Sequence, residues 1–105
     1  MAEDKQIALE HDGQVLAQAT VSAADDQGAS RAQVHMASGH LPPGTRQKVA
    51  DAVHEAVIEE HATRLTATVP CGDAELVEGI GHHLDRVELR AAGASSIIQG
   101  DVRPD

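Results

Sequence analysis

Gly44, Thr45, Arg46 and Lys48 are the residues of this sequence best arranged to do chemistry. A glycine and a threonine entering a helix leave backbone N–H groups free at its positive end. A guanidinium and an ammonium beside them add charge, and the combination suits an anion such as a phosphate. The same four residues also describe an ordinary helix start with two solvated cations. Cys71 stands between a strand and a second helix N-terminus, a kind of position at which nucleophilic thiols are found. His82 and His83 lie too far along that helix to act as its base, so the expectation is a plain loop cysteine. Seven histidines raise the question of a metal. His54 and His61, however, are about 10 Å apart along one helix axis, and the adjacent His82 and His83 diverge by about 100° around another. No H-x-x-x-H, H-E-x-x-H or paired-cysteine spacing occurs, and the histidines are expected to be solvated or to flank helices. Glu55, Glu59, Glu60 and Asp25-Asp26 have no partner acid or nucleophile placed by spacing and read as solvated acidic surface. No catalytic residue and no metal ligand is assigned.

Positioning the Gly44 corner falls to the elements around it. Ala32, Val34 and Met36 share one face of a strand, the Gly/Pro-rich stretch from Ser38 to Thr45 turns the chain, and Val49, Ala52, Val53, Ala56 and Val57 then recur at the helical period. This predicts a helix from Arg46 to about His61 with Thr45 as N-cap. Upstream, Gln6 to His11 and Gln14 to Ala23 alternate around Asp12-Gly13, the pair that a tight hairpin demands. Asp25 to Gly28 reads as a turn, and Ala29 to Ser38 completes a meander. Downstream, Arg64 to Val69 is a strand returning parallel to the third. Asp73 caps a helix from Ala74 to about Leu84, with Leu76, Val77, Ile80 and Leu84 inward. Gly79 and Gly81 weaken that helix unless something packs closely on it. Arg86 to Arg90 is a strand, with a turn at Gly93 and then Ser95 to Gln99 as a further strand or its continuation. The order is β-β-β-α-β-α-β, an α+β fold in which a β-meander and two βα crossovers build one mixed sheet.

The chain of 105 residues is one domain over 1–105, with frayed ends at 1–5 and 101–105. Its core is unusual, because aromatic residues are at 0% while the apolar share is 41%. Alanine dominates that share, and Leu, Ile and Val make up only about a fifth of the chain, near the boundary of disorder. The ordered periodicity argues for a folded domain of modest stability, or one that gains burial by pairing with a second copy. A net charge of -9 excludes nucleic acid and anionic membrane surfaces as partners, since both need a basic patch. No apolar run nears the ~20 residues needed to span a bilayer, and the acidic start is unlike a signal peptide. With a single cysteine, a cytoplasmic location is expected.

From Gln14 to Ile98 this order of elements resembles the core of the GNAT superfamily of N-acetyltransferases. The resemblance implies that the loop before the first helix binds the acetyl-CoA pyrophosphate, through a Q/R-x-x-G-x-G/A pattern that aims amides at phosphates. The corresponding corner here, His40-Leu41-Pro42-Pro43-Gly44-Thr45-Arg46, keeps one glycine and one basic side chain and places two prolines where donors are wanted. Gly79-Ile80-Gly81 resembles the glycine part of that loop, but Leu76 occupies the place of its Gln/Arg. The tight Asp12-Gly13 turn stands where the resemblance implies the helices of an acceptor-substrate site.

The resulting expectation is a small non-catalytic or degenerate GNAT-like binding domain. Its ligand would be an acyl-CoA-type anion, acetyl-CoA or CoA, at Gly44, Thr45, Arg46 and Lys48, or a protein partner at a sheet edge or the small-residue helix face. The alternatives are an authentic acetyl-CoA-dependent N-acyltransferase completed by dimerisation, and a structural homodimerisation module.

Overall fold

The computed structural model describes residues 4–38 and 41–104. The elements follow in the order β1 (Lys5–His11), β2 (Gln14–Val21), β3 (Ala29–Met36), α1 (Thr45–Glu59), β4 (Arg64–Pro70), α2 (Ala74–Gly81), β5 (Leu84–Ala92) and β6 (Ser95–Val102). They form one six-stranded sheet in the order β1-β2-β3-β4-β6-β5, so the α+β class with a mixed sheet holds. β1, β2 and β3 are the antiparallel meander. Asp12 and Gly13 both take positive φ, the conformation a two-residue hairpin loop needs to match strand twist. Through α1 the chain crosses over and lays β4 parallel to β3. A second crossover through α2 carries it past one strand position to β5, and β6 returns antiparallel into the gap between β4 and β5.

Both helices cover one face of the sheet and pack against each other. The inward positions are Ala17, Ala19 and Val21 on β2, Ala32 and Val34 on β3, Leu65, Ala67 and Val69 on β4, and Ile98 on β6. They meet Val49, Val53 and Val57 of α1 and Leu76 and Ile80 of α2. Alanines at the centre of the sheet let the helices come close, and small residues continue between the helices. A Cβ added at Gly79 would lie 3.1 Å from the Ala50 Cβ, so the glycine that weakens α2 in isolation is where α1 packs on it.

Several boundaries differ from the sequence reading. α2 stops at Gly81 instead of Leu84: the His83 amide donates to the Ile80 carbonyl, tightening the last turn, and Leu84, still buried, fills its inward place as the first residue of β5. Ser95–Val102 is a separate strand, joined to β5 by a two-residue turn at Gly93 and Ala94, with Ala92 opposite Ser95. The ends expected to fray are partly built into the sheet. Lys5 opens β1 and pairs with Glu59 of α1 and with Glu60 just after it, while Asp101 in β6 bonds Arg64 at 2.8 Å. Residues 1–3 and 105 of those ends, and residues 39 and 40 of the Gly/Pro-rich corner, lie outside the described residues. Among the described residues no helix is long and apolar enough to cross a membrane.

Candidate functional site

β3 and β4 pair only from Ala29 and Arg64 to Gln33 and Thr68, although the strands run on to Met36 and Pro70. Beyond the last pair they separate, and a cleft of ≈ 510 Å³ opens there, lined by Met36, Ser38, Arg46, Cys71, Asp73 and Glu75 among others. Two parallel strands that each feed or follow a crossover helix bring both helix N-termini to this end of the sheet. The crevice at the carboxyl ends of parallel strands is the usual ligand position in such sheets.

The two helix starts differ. α2 is capped: the Asp73 side chain accepts from the Leu76 amide at 3.2 Å, and Glu75 adds a second carboxylate to its first turn. α1 has Gly44 as its N-cap, in the left-handed region at φ 82, and no acidic residue in its first turn. Glycine takes this backbone without strain but offers no side chain to the first amides. Thr45, expected as the cap, is instead the first helical residue. It is buried, and its hydroxyl donates to the Pro42 carbonyl at 2.7 Å, because Gly44 alone fits the positive φ that the turn after Pro42-Pro43 requires.

Arg46 lines the cleft, and its Nε donates to Asp73 at 2.8 and 3.0 Å, with Glu75 3.7 Å from the guanidinium. Lys48 projects elsewhere. It lines a smaller hollow of ≈ 110 Å³ with Pro42, Pro43, Thr45, Leu9 and His11 beside the β1–β2 hairpin. Positions i and i+2 of a helix are about 200° apart, so Arg46 and Lys48 flank the start of α1 on opposite sides. The four residues expected to form one anion site thus surround the start of α1, and of them only Arg46 lines the cleft. Asp73 is the residue the sequence reading overlooked there. It was legible as the cap of α2, but its pairing with Arg46 depends on the parallel arrangement of two crossovers. Cys71 is exposed at the rim of the same cleft.

In a second cluster, His54 departs from the expectation that the histidines are solvated or flank helices. His54 is buried, and its Nε2–H donates to the Arg103 carbonyl at 3.0 Å. Its ring stacks on His83 at 4.1 Å between centroids, and His83 Nε2 donates to Asp51 at 2.9 Å. The hydrogen bond from His83 holds the Asp51 carboxyl below its ordinary value, and one from Gln47 adds to it. This cluster ties α1, the end of α2 and the chain after β6 together. Among the described residues no group of three or more histidine, cysteine or acidic side chains is placed to hold a metal ion.

No family model and no curated protein sequence matches the chain. Solved structures do. A ribosomal-protein-alanine N-acetyltransferase from Brucella melitensis superposes with a TM-score of 0.66 at 16% identity, covering 94% of this chain and 69% of that one. A GNAT-family acetyltransferase from Streptococcus pneumoniae gives 0.66 at 12% identity, covering 94% and 66%. A GNAT-superfamily phosphinothricin acetyltransferase from Sinorhizobium meliloti, solved with acetyl-CoA, gives 0.66 at 10% identity, covering 95% and 62%. The chain therefore has a GNAT-like fold and spans about two thirds of the length of these structures.

Proposed function

We propose that this chain is a small binding domain that holds a CoA-type anion at the cleft between the separating ends of β3 and β4, without catalysing acyl transfer. The observation that carries the reading is that cleft, opening beside a helix start with glycine as N-cap and no acid in its first turn. Free amides and the positive end of the helix dipole suit a phosphate there. Of the four residues of the Gly44 corner, Arg46 would contact the phosphates from the cleft lining, Gly44 would keep the helix start open, and Thr45 would brace the turn through Pro42. Lys48 on the far side of α1 would add only long-range positive charge, and the parted strands would take the chain that leads to the thioester. Bound acetyl-CoA supplies an activated acyl group. The acceptor side supports the non-catalytic half of the reading. β1 and β2 are joined directly at Asp12-Gly13, with His11 opposite Gln14, so no helices are inserted where the resemblance puts an acceptor site. The Arg46–Asp73 pair weakens the anion site further, because the ligand must compete with a carboxylate already in place.

Titration calorimetry with CoA and acetyl-CoA tests binding, and release of free thiol in the presence of a panel of amines tests turnover. The expected result is saturable binding of both nucleotides without thiol release. Turnover with any amine would make the chain an acyltransferase, and no heat from either ligand at millimolar concentration would remove the CoA reading.

A further inference from the structure

The face of the sheet opposite the helices carries a concavity of ≈ 620 Å³, lying across β2, β3, β4, β6 and β5. This is within the range of small-molecule pockets. Its floor is polar apart from Ile97, because strand alternation that turns Ala32, Ala67 and Ile98 toward the helices turns Gln33, Thr66, Thr68, Ile97 and Gln99 the other way. Arg31 stands on one side of it and Arg90 on the other.

Charge singles this face out. The chain has 17 acidic residues and only 8 lysines and arginines, so carboxylates are plentiful for every cation. Lys5, Arg46, Arg64, Arg86 and Arg103 each have a carboxylate within ion-pair distance. Among the described residues Arg31, Lys48 and Arg90 have none; Lys48 borders the separate hollow beside the β1–β2 hairpin, whereas both arginines border this one concavity. The register fixes their spacing. Arg31 lies opposite Thr66, and Thr66 opposite Gln99; two residues along, Thr68 lies opposite Ile97, and Ile97 opposite Arg90. The two arginines are therefore three strand steps and two residues apart, about 16 Å at roughly 4.8 Å per step and 3.3 Å per residue, with threonine hydroxyls, glutamine amides and the Ile97 side chain between them. Asp4 on the rim and Glu88, held by the Gln99 amide at 2.9 Å, disfavour negative charge elsewhere on the face.

We infer that this face binds a small, extended dianion, with a carboxylate or phosphate at each end for Arg31 and Arg90 and a hydrogen-bonding fit to Thr66 and Thr68 between. Guanidinium forks match both headgroups. The site lies on the opposite side of the sheet from the β3–β4 cleft, so it stands or falls independently of CoA binding.

The test is an amide-resolved NMR titration of the whole chain with suberate and with hexane-1,6-diyl bisphosphate, against acetate and methyl phosphate. The expected result is saturable shifts at Thr66, Thr68 and Gln99 with at least one dianion, the better one identifying the headgroup, and binding at least tenfold weaker with the matching monoanion. Arg31 and Arg90 are exposed and make no ion pair, so R31Q and R90Q fold, and each weakens the dianion at least tenfold. R64Q, on the same face but paired with Asp101, does not. The inference is overturned by the absence of shifts with both dianions, by monoanions binding equally well, or by unaltered binding in R31Q and R90Q. It is also overturned if the same signals move with protein concentration alone, which would place a second copy on this face.

Discussion

Asp73 is the residue on which stability and binding oppose each other. It caps α2 and holds Arg46 of α1, so one carboxylate ties the two helix starts. Asp73→Ala removes both roles and is expected to lower stability by about 1–2 kcal/mol, most of it from the cap. Asp73→Asn keeps a capping oxygen and releases Arg46. It is expected to cost under ~1 kcal/mol while tightening CoA binding severalfold. Denaturant unfolding followed by circular dichroism, with calorimetry on the same variants, separates the two effects; equal stability loss in both variants, or no gain in affinity for Asp73→Asn, would contradict this division. Two other carboxyls set the acid limit. Asp25 accepts from the Ala29 and Gln27 amides, which lower its pKa, and Asp51 is lowered by its hydrogen bond from His83. A depressed folded-state pKa contributes stability that is present above the ordinary value, 3.8 for both, and is lost as pH falls through the lower folded value. The melting temperature is therefore expected to hold above pH 4 and to fall below it, with a shallower fall in Asp51→Asn; an equally steep fall in that variant would rule out the Asp51 contribution.

At the scale of elements, α1 and α2 owe their relation to Gly79 against Ala50. Gly79→Val forces side-chain volume between two Cβ-limited surfaces and is expected to destabilise by about 1–3 kcal/mol. Ala50→Gly in the same chain should recover part of that loss, and a double-mutant cycle by denaturant unfolding reads the coupling directly; simple additivity would place the strain elsewhere. The elements were largely legible in the sequence, for local reasons. Asp12-Gly13 allows one kind of turn, Val49 to Val57 repeats only at the helical period, and Asp73 is a cap by residue type. What the sequence left open depends on long-range pairing. The alternation in Leu84–Ala92 and Ser95–Val102 shows two strands but not that β6 inserts between β4 and β5. The end of α2 was misplaced because Leu84 is inward in either a helix or a strand. The candidate site was legible as a list of residues around Gly44, but not as geometry: Arg46 and Lys48 part to opposite sides, Asp73 meets Arg46 from another helix, and the His54–His83 stack joins residues 29 positions apart in sequence.

The molecule as a whole is a sheet covered on one side. Its core holds no aromatic side chain, so each large aliphatic residue carries more of the burial than it would in a typical domain. Ile98, buried beneath α2 at the centre of β6, is expected to cost about 2–5 kcal/mol as Ile98→Ala, a large part of the stability of a small domain; a loss under ~1 kcal/mol would mean that the core collapses around the gap. α2, about 12 Å long at eight residues, leaves Val87 and Leu89 of edge strand β5 exposed. The fold thus offers the cleft at the carboxyl ends of β3 and β4 and the uncovered polar face behind it. The central claim concerns the cleft. Its most direct test is an amide-resolved NMR titration with CoA, which locates the ligand and needs no tryptophan or tyrosine signal. Saturable shifts confined to residues 44–48 and 71–75 are predicted. Shifts elsewhere, or none at millimolar CoA, would contradict the claim.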